Sequence, residues 1–328
     1  MTTTFETVIQ DLLQTGKPFR KNYLSLFSDI DSVSLRLLLE AWPRVPLARK
    51  LELLAALNAL LDKDTIVSFD DLARALLNDP EAPVRAAAMR LLAECEDVKL
   101  VPIYERILAG DPEPEARAAA AQALNLFVDL GELDEIPESV LHRVEEALLA
   151  AWRDGNAGVR RSVLESLGYS SRAEVPALIE SALTRTDPDW QASALVAMGR
   201  SNDERWTEHV IRMLLSEDDS VRLEAVRAAG ELMQPEARLP LLHLLEEEEE
   251  PGIVSAAIWS LSQIGGEDVR TYLENLLDAT EDEEEIAFIE DALANLSFSE
   301  DIERFDMLAV DPDEDLHELD ELDEIEED

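Results

Sequence analysis

The amino-acid sequence predicts an all-α fold in which helical hairpins repeat along the chain. Three glycines, Gly168, Gly199 and Gly230, recur at intervals of 31 residues, each near the end of an apolar segment rich in small residues. A period of this length indicates one supersecondary unit copied in tandem. Each copy contains two amphipathic segments with helical periodicity, and no run of alternating β-branched residues competes with them.

The repeat is followed most easily at the apolar residue that opens the second helix of each unit, which we call the anchor. Successive anchors are 32, 43, 31, 31 and 32 residues apart, at Val84, Ala116, Val159, Trp190, Val221 and Ile253. The interval of 43 contains VDLGELDEIPESV, which we interpret as an insertion between repeats. A seventh, degenerate copy is predicted from about Glu285.

Each unit has the pattern of two helices joined by an acidic turn. Counted from the anchor, apolar or small residues fall at +4, +7, +8 and +11, which places them on one face of a helix. The preceding segments, such as FDDLARALLND and LPLLHLLEEE, are also amphipathic. The turn between them is Asp-Pro at Asp79, Asp111 and Asp187, where proline suits the first helical turn and aspartate can cap it.

These features resemble HEAT repeats, and the short repeat length is similar to that of the HEAT-like repeats named after phycobilisome lyases. The resemblance rests on the tandem hairpins, the Asp-Pro turns and the Val-Arg pairs at Val84, Val159 and Val221. The whole chain also resembles bacterial HEAT-repeat proteins. The resemblance implies a right-handed α-α superhelix of about seven hairpins over residues 69–298.

The two ends of the chain fall outside the repeat frame. We expect residues 1–68 to form an irregular helical cap over the first repeat. Within it, Lys17, Arg20 and Lys21 beside Phe19 and Tyr23 are compatible with a small docking site, but we favour a solvated loop with two core aromatics. We expect residues 299–328 to be an acidic, disordered tail.

The distribution of charge limits the classes of partner. Residues 101–328 hold 58 acidic and 16 basic side chains and no lysine. Such a field repels phosphate backbones, which argues against nucleic acid and favours a protein partner with a basic surface. The single cysteine, Cys95, is interpreted as a small core residue. Without a visible export signal or membrane-spanning run, we expect a cytoplasmic protein that does not bind membranes.

The C-terminal tail contains an apolar stripe of its own. Twelve of its last eighteen residues are acidic, and apolar residues recur every third position, at Leu316, Leu319, Leu322 and Ile325. Three interpretations stay open: a solubilising tail, a docking peptide for a basic or apolar groove, and a plug over the solenoid's own concave face.

A partner-binding face is predicted on the second helices, which line the concave surface in HEAT-like solenoids. Positions +6 and +10 from each anchor point away from the buried stripe. Tyrosine, tryptophan and arginine there are typical of binding hot spots. The predicted partner-binding residues are Tyr169, Arg200, Arg227, Trp259, Glu165, Glu231 and Gln263. By contrast, we predict structural roles for the arginines at +1, which recur with the turn aspartates, and core positions for Trp42, Trp152 and Trp190.

Catalytic motifs are missing from the sequence. The four histidines are isolated, and only His317-Glu318 has the His-Glu form that HEAT-like metal-dependent hydroxylases repeat. One cysteine cannot build a zinc site, and Gly265-Gly266 lacks the residues of a phosphate loop. We therefore predict a non-enzymatic scaffold or adaptor without catalytic residues, metal or cofactor. The alternative is a protein resembling a bilin lyase or chaperone-lyase.

Overall fold

The computed structural model describes residues 5–14 and 16–308, with side chains up to residue 298. Eighteen α-helices and no β-strand form in these residues, which confirms the all-α fold class. The chain divides into two compact units, Met1–Thr186 and Asp187–Asp328.

The helices follow one another with short turns. The first unit contains α1 Phe5–Leu13, α2 Ser32–Ala41, α3 Leu47–Leu61, α4 Asp70–Leu76, α5 Ala82–Leu91, α6 Val101–Gly110, α7 Pro114–Ala123, α8 Asn125–Glu132, α9 Glu138–Ala151, α10 Ala157–Leu167 and α11 Val175–Leu183. The second unit contains α12 Pro188–Arg200, α13 Thr207–Met213, α14 Asp219–Glu231, α15 Arg238–Glu247, α16 Pro251–Ile264, α17 Glu267–Ala279 and α18 Glu283–Leu308.

Within each unit the helices pack in series, as in a solenoid. In the first unit α5 packs on α7 and α7 on α10, while α4, α6 and α9 each cover the second helix of their own hairpin. In the second unit α12, α14, α16 and α18 pack in that order, and α13, α15 and α17 pack on α14, α16 and α18 respectively. Each hairpin therefore buries its apolar stripe chiefly against its neighbours.

The anchors occupy the core, as the periodicity predicts. All six are at most 2% exposed, and in α14 the residues at +4, +7, +8 and +11 are buried as well. Trp190 is 2% exposed and fills its anchor position in place of valine. The helical reading of the repeat is thus confirmed at each anchor.

The N-terminal segment is more like a repeat than its sequence indicates. Helix α3 packs against α5 in the same order that α5 packs against α7. Lys50 on α3 contributes a buried Nζ 3.2 Å from the Asp79 carboxylate, and the Trp42 Nε1–H donates to the same oxygen at 2.6 Å. In the basic loop, Phe19 and Tyr23 are buried while Lys17 and Arg20 are exposed, as we favoured.

The arginines at +1 connect successive repeats. Arg85 on α5 donates to both carboxylate oxygens of Asp111, at 2.9 and 2.7 Å, and also to the Asp79 carbonyl of its own turn. Arg117 on α7 repeats this geometry with Asp154, at 2.7 and 3.0 Å. We call this series of arginines and turn carboxylates the ladder, and it confirms the structural role predicted for these arginines.

The ladder continues in the second unit with a glutamate as acceptor. Arg222 on α14 donates to Glu248 through Nε at 2.5 Å and to the Ser216 carbonyl through Nη1 at 2.7 Å. The charge-assisted bond to Arg222 holds the pKa of Glu248 below its usual value. The equivalent bond from Arg117 lowers the pKa of Asp154.

The first residues of the inserted segment, 128–132, lie in α8, and α7 and α10 still pack together across the insertion. Helix α8 follows α7 directly and packs on α9 and α10. It approaches α9 so closely that a Cβ at Gly131 would lie 2.7 Å from Leu141. The interpretation of this segment as an insertion agrees with the continued contact between α7 and α10.

Glycine at +9 allows the second helices of the second unit to approach closely. A Cβ at Gly230 on α14 would lie 2.6 Å from the Ser260 hydroxyl oxygen and 2.5 Å from the Gln263 amide oxygen on α16. A Cβ at Gly199 on α12 would meet the Glu231 carboxylate of α14. In both cases the +10 side chain of the next repeat packs against the +9 glycine.

Three expectations differ from the structure. Trp152, predicted in the core, is only half-buried because it follows the last turn of α9. Cys95 is also half-buried, and its Sγ lies 3.1 Å from Arg74 Nη2. Helix α18 continues past residue 298, the boundary expected for the tail, to Leu308. The remaining tail, with Leu316, Leu319, Leu322 and Ile325, lies outside the described residues.

Candidate functional site

A surface groove of about 360 Å³ lies on the second helices of the second unit. We call it the Trp259 groove. It is lined by residues of α14, α16 and α18, namely Arg227, Glu231, Gly252, Ser255, Ala256, Trp259, Ser260, Gln263 and Phe288. Its volume is at the lower end of the range typical of ligand pockets.

Helical spacing explains why these side chains converge. Positions +6 and +10 share one face of a helix, so Arg227 and Glu231 of α14 line the groove together with Trp259 and Gln263 of α16. The Glu231 carboxylate itself lies against Gly199 of α12. The neighbouring positions on α16 are small, with Gly252, Ser255 and Ala256 forming part of the lining. Small residues leave room in front of the indole.

The aromatic part of the groove is accessible. Trp259 is 40% exposed, whereas Trp42, Trp190 and Trp206 are at most 4% exposed. The Trp259 ring lies beside the half-buried Phe288 of α18, with ring centroids 6.5 Å apart and planes inclined by 34°. An aromatic pair with one accessible ring offers a large contact area that is already ordered before a ligand binds.

The polar part of the groove is centred on Glu231, at the C-terminal end of α14. Restricted solvation raises the pKa of Glu231 above its ordinary value, and Glu224 on the same helix raises it further. The cations Arg200 and Arg227 oppose this shift. Arg227 also forms an ion pair with Glu224, 2.7 Å from Nη1 to Oε1. The ionised carboxylate of Glu231 is therefore less stabilised than an ordinary surface glutamate.

The predicted partner-binding residues are distributed over both units. Arg227, Glu231, Trp259 and Gln263 line one groove. Arg200 is the last residue of α12 in the same unit and is half-buried. Glu165 on α10 and Tyr169, two residues after α10, are half-buried residues of the first unit.

A second groove in the first unit was not among the predicted sites. It consists of two adjoining cavities of about 370 and 440 Å³ between α3 and α5, which share Asn58, Asp62 and Arg90. The sequence does not predict this groove, because residues 1–68 lack the repeat pattern and are expected to form an irregular cap, whereas α3 packs on α5 as a repeat helix would. Phe288 was missed in the Trp259 groove for a related reason, since its helix is the most degenerate copy.

Two kinds of feature are not found in the part of the chain that the structure describes. No three His, Cys, Asp or Glu side chains there form a group that could hold a metal ion. None of the described helices combines the length and apolar character that crossing a membrane requires.

Several solved structures resemble the chain. YibA of E. coli matches with a TM-score of 0.44 and 17% identity, covering 87% of this chain and 99% of that chain. An engineered protein matches with a TM-score of 0.37 and 17% identity, covering 89% and 98%. A Kap121p mutant matches with a TM-score of 0.41 and 13% identity, covering 88% of this chain and 36% of that chain. We infer no activity from likenesses at this level.

Sequence comparisons give the family. No curated protein matches the chain significantly. The family model described as HEAT repeats matches residues 69–141 and 207–294. The first range contains the hairpins α4–α5 and α6–α7, and the second contains the helices from α13 to α17 and the start of α18. The chain is therefore a HEAT-repeat protein.

Proposed function

We propose that this protein is a non-enzymatic scaffold or adaptor that binds a protein partner on the faces of its second helices. The observation that carries the proposal is the Trp259 groove. It combines an accessible tryptophan, an arginine and a carboxylate on adjacent repeats. These residue types dominate the energetics of protein–protein interfaces because they bury large areas and make directed polar contacts.

Charge supports a partner with a basic surface. Residues 187–308 hold 31 acidic side chains against 8 arginines, and no lysine. A field of this sign accelerates encounter with cationic surfaces and disfavours polyanions. We therefore expect the association rate with the partner to decrease steeply with salt concentration, because screening shortens the reach of the field.

The test is capture of interacting proteins by the full-length chain and by groove variants. Trp259→Ala should reduce capture of a specific partner at least tenfold, and Arg227→Glu should reduce it too. Leu239→Ala removes a similarly exposed apolar side chain on a first helix and serves as the control. Circular dichroism should show that all three variants fold. Equal capture by the wild type and both groove variants would reject the groove as the interface.

The tail needs a separate test. Replacing Leu316, Leu319, Leu322 and Ile325 together by serine keeps the acidic charge and removes the apolar stripe. Unchanged capture would leave the tail as a solubilising segment, and lost capture would make it a docking element. The lyase alternative stays a prediction, and binding of a bilin with a change in visible absorbance would support it.

A further inference from the structure

The groove in the first unit has a larger volume than the Trp259 groove. Its two adjoining cavities between α3 and α5, of about 370 and 440 Å³, share three lining residues and therefore form one continuous surface. We call it the α3–α5 groove. On α3 the lining residues recur at helical spacing from Leu51 to Asp62, a rise of about 16 Å or three turns. On α5 they recur from Pro83 to Leu91, a rise of about 12 Å.

The α3–α5 groove has an apolar floor and a low wall. Its floor contains the buried side chains of Leu54 from α3 and of Ala87 and Leu91 from α5. Ala55 and Ala59, one turn apart on α3, line the groove and are exposed. Because alanine has no side chain beyond Cβ, a second chain can approach the α3 backbone closely there. A helix suits such a surface, since it satisfies its own backbone hydrogen bonds, whereas an extended chain would place N–H and C=O groups over the apolar floor.

Acidic side chains lie at both ends of the α3–α5 groove. Glu115 of α7 lines only the first cavity, and Asp70 and Glu94 line only the second. Arg90 is the one basic residue among the described residues that line the groove, and it lies with Asp62 in the part that the cavities share. The groove is therefore close to neutral in its middle and negative at its ends. A ligand with an apolar centre and a basic group at each end complements this distribution of charge.

We propose that the α3–α5 groove takes an amphipathic helix of the protein partner, about three turns long, with its apolar stripe on the floor and Lys or Arg side chains near both ends. This inference rests on the proposed function and adds a second surface, together with the chemical form of the segment that binds there. Apolar side chains at i, i+3 or i+4 and i+7 span about 10 Å along a helix. The same seven-residue interval separates Leu54, in one cavity, from Leu61, in the other.

The probe is a phage-displayed library of random peptides of about 14 residues, long enough for three helical turns, selected against the full-length protein. Ala59→Trp fills the groove from an exposed position, and Ala109→Trp adds the same side chain at an exposed position of the first helix α6. We expect a group of selected peptides that bind about tenfold more weakly to Ala59→Trp. Their binding to Ala109→Trp and to Trp259→Ala should stay within about twofold of the wild type.

The sequences and the bound conformation of these peptides test the proposed chemistry. Peptides weakened by Ala59→Trp should carry apolar residues at i, i+3 or i+4 and i+7, with Lys or Arg near both ends. The Cα chemical shifts of an isotope-labelled representative should become helical on binding. Circular dichroism of the variants should show that all of them fold. A selection without any peptide weakened by Ala59→Trp would overturn the inference, and so would weakened peptides that lack basic ends or stay extended when bound.

Charge variants separate the ends of the groove from the general field of the unit. The double variant Glu94→Gln, Glu115→Gln should weaken a selected peptide about fivefold. The double variant Glu135→Gln, Glu138→Gln removes the same charge from exposed positions of the same unit and should change the affinity less than about twofold. Equal weakening by the two double variants would mean that no contact at the ends of the groove selects a basic ligand, and the inference would fall.

The outcome also separates this inference from the proposed function. If capture of a protein partner depends on Trp259 but Ala59→Trp weakens no selected peptide, the α3–α5 groove is not a helix-binding site and the scaffold function stands. If Ala59→Trp weakens both the peptides and the capture of a partner, the α3–α5 groove is part of the interface. If neither the peptides nor the capture respond to Ala59→Trp or Trp259→Ala, both proposals fail.

Discussion

Removing one carboxylate of the ladder should destabilise the first unit by more than a surface ion pair is worth. Asp111→Asn is the sharpest perturbation because it keeps the shape of the side chain. Asp111 accepts two hydrogen bonds from Arg85 and one from the Glu113 amide, at 3.0 Å. Asparagine can keep the bond to Glu113 but turns an amide donor toward the guanidinium, which is itself a donor only.

The magnitude follows from burial. The Arg85 and Asp111 side chains are 10% and 8% exposed. Exposed pairs contribute about 0–1 kcal/mol, whereas breaking a buried pair costs about 3–5 kcal/mol. We expect a loss of about 2–4 kcal/mol for a pair that is nearly but not fully buried. A loss of this size lowers the Tm by about 2–4 °C per kcal/mol in a unit of this length.

Urea denaturation followed by far-UV circular dichroism measures the loss. Glu138→Gln is the control, because Glu138 and His142 form an exposed pair, with side chains 83% and 61% exposed. Its effect should stay below about 0.5 kcal/mol. A double-mutant cycle with Arg85→Met should give a coupling energy above about 1 kcal/mol. A coupling near zero, or equal losses in Asp111→Asn and the control, would refute the role we assign to the ladder.

Three further perturbations test the second unit and its packing. Gly230→Ala should cost about 1–3 kcal/mol, because the added methyl group collides with α16 and the gain of about 1 kcal/mol in helix propensity does not offset it. Gly110→Ala, with nothing within 4 Å of the new Cβ, should be neutral or stabilising, and thermal unfolding of both variants decides this. Met233→Gly should raise the free energy of unfolding measured in urea by about 1 kcal/mol. Met233 has φ 48°, in the left-handed region where a side chain is strained. No gain would show that the strain is relieved elsewhere. Glu231→Gln should stabilise the fold at neutral pH. Because the pKa of Glu231 is raised in the folded protein, the ionised side chain lowers the free energy of unfolding at pH values above that pKa. This loss disappears when the pH falls below the pKa of Glu231 in the unfolded chain, where the side chain is protonated in both states. Denaturation at pH 7 and pH 4 should therefore show a gain at pH 7 only, and a loss at pH 7 would contradict the assigned cause.

The sequence predicts the structure best at positions where the same type of residue has the same structural role in every repeat. The anchors are predictable because a residue that opens the second helix must enter the core in every copy. The +1 arginines are predictable because they recur together with turn aspartates. The fold class therefore follows from the spacing of these residues, and the structure agrees with it.

The sequence was least informative where the repeat degenerates. Helix α3 has no Val-Arg opening. Lys50 of α3 donates to the Asp79 carboxylate, in the place that an arginine takes in the later repeats. Its groove with α5 thus could not be predicted from the repeat pattern. The sequence also could not show which predicted residues share a groove. Spacing places Arg227 and Trp259 on helix faces, but it gives neither the distance between the helices nor the contribution of Phe288.

The ladder also shows how this architecture can accept new sequence. Its arginines and carboxylates are 26 residues apart in Arg85–Asp111 and in Arg222–Glu248, but 37 apart in Arg117–Asp154. The additional residues form the end of α8 and the turn that leads to α9, while the ion pair that joins the two hairpins is kept. Residues 133–135 in the turn between α8 and α9 are exposed, so we expect this turn to tolerate an insertion. A reporter domain inserted there should leave both flanking hairpins in register, which offers a way to label the protein without changing either groove.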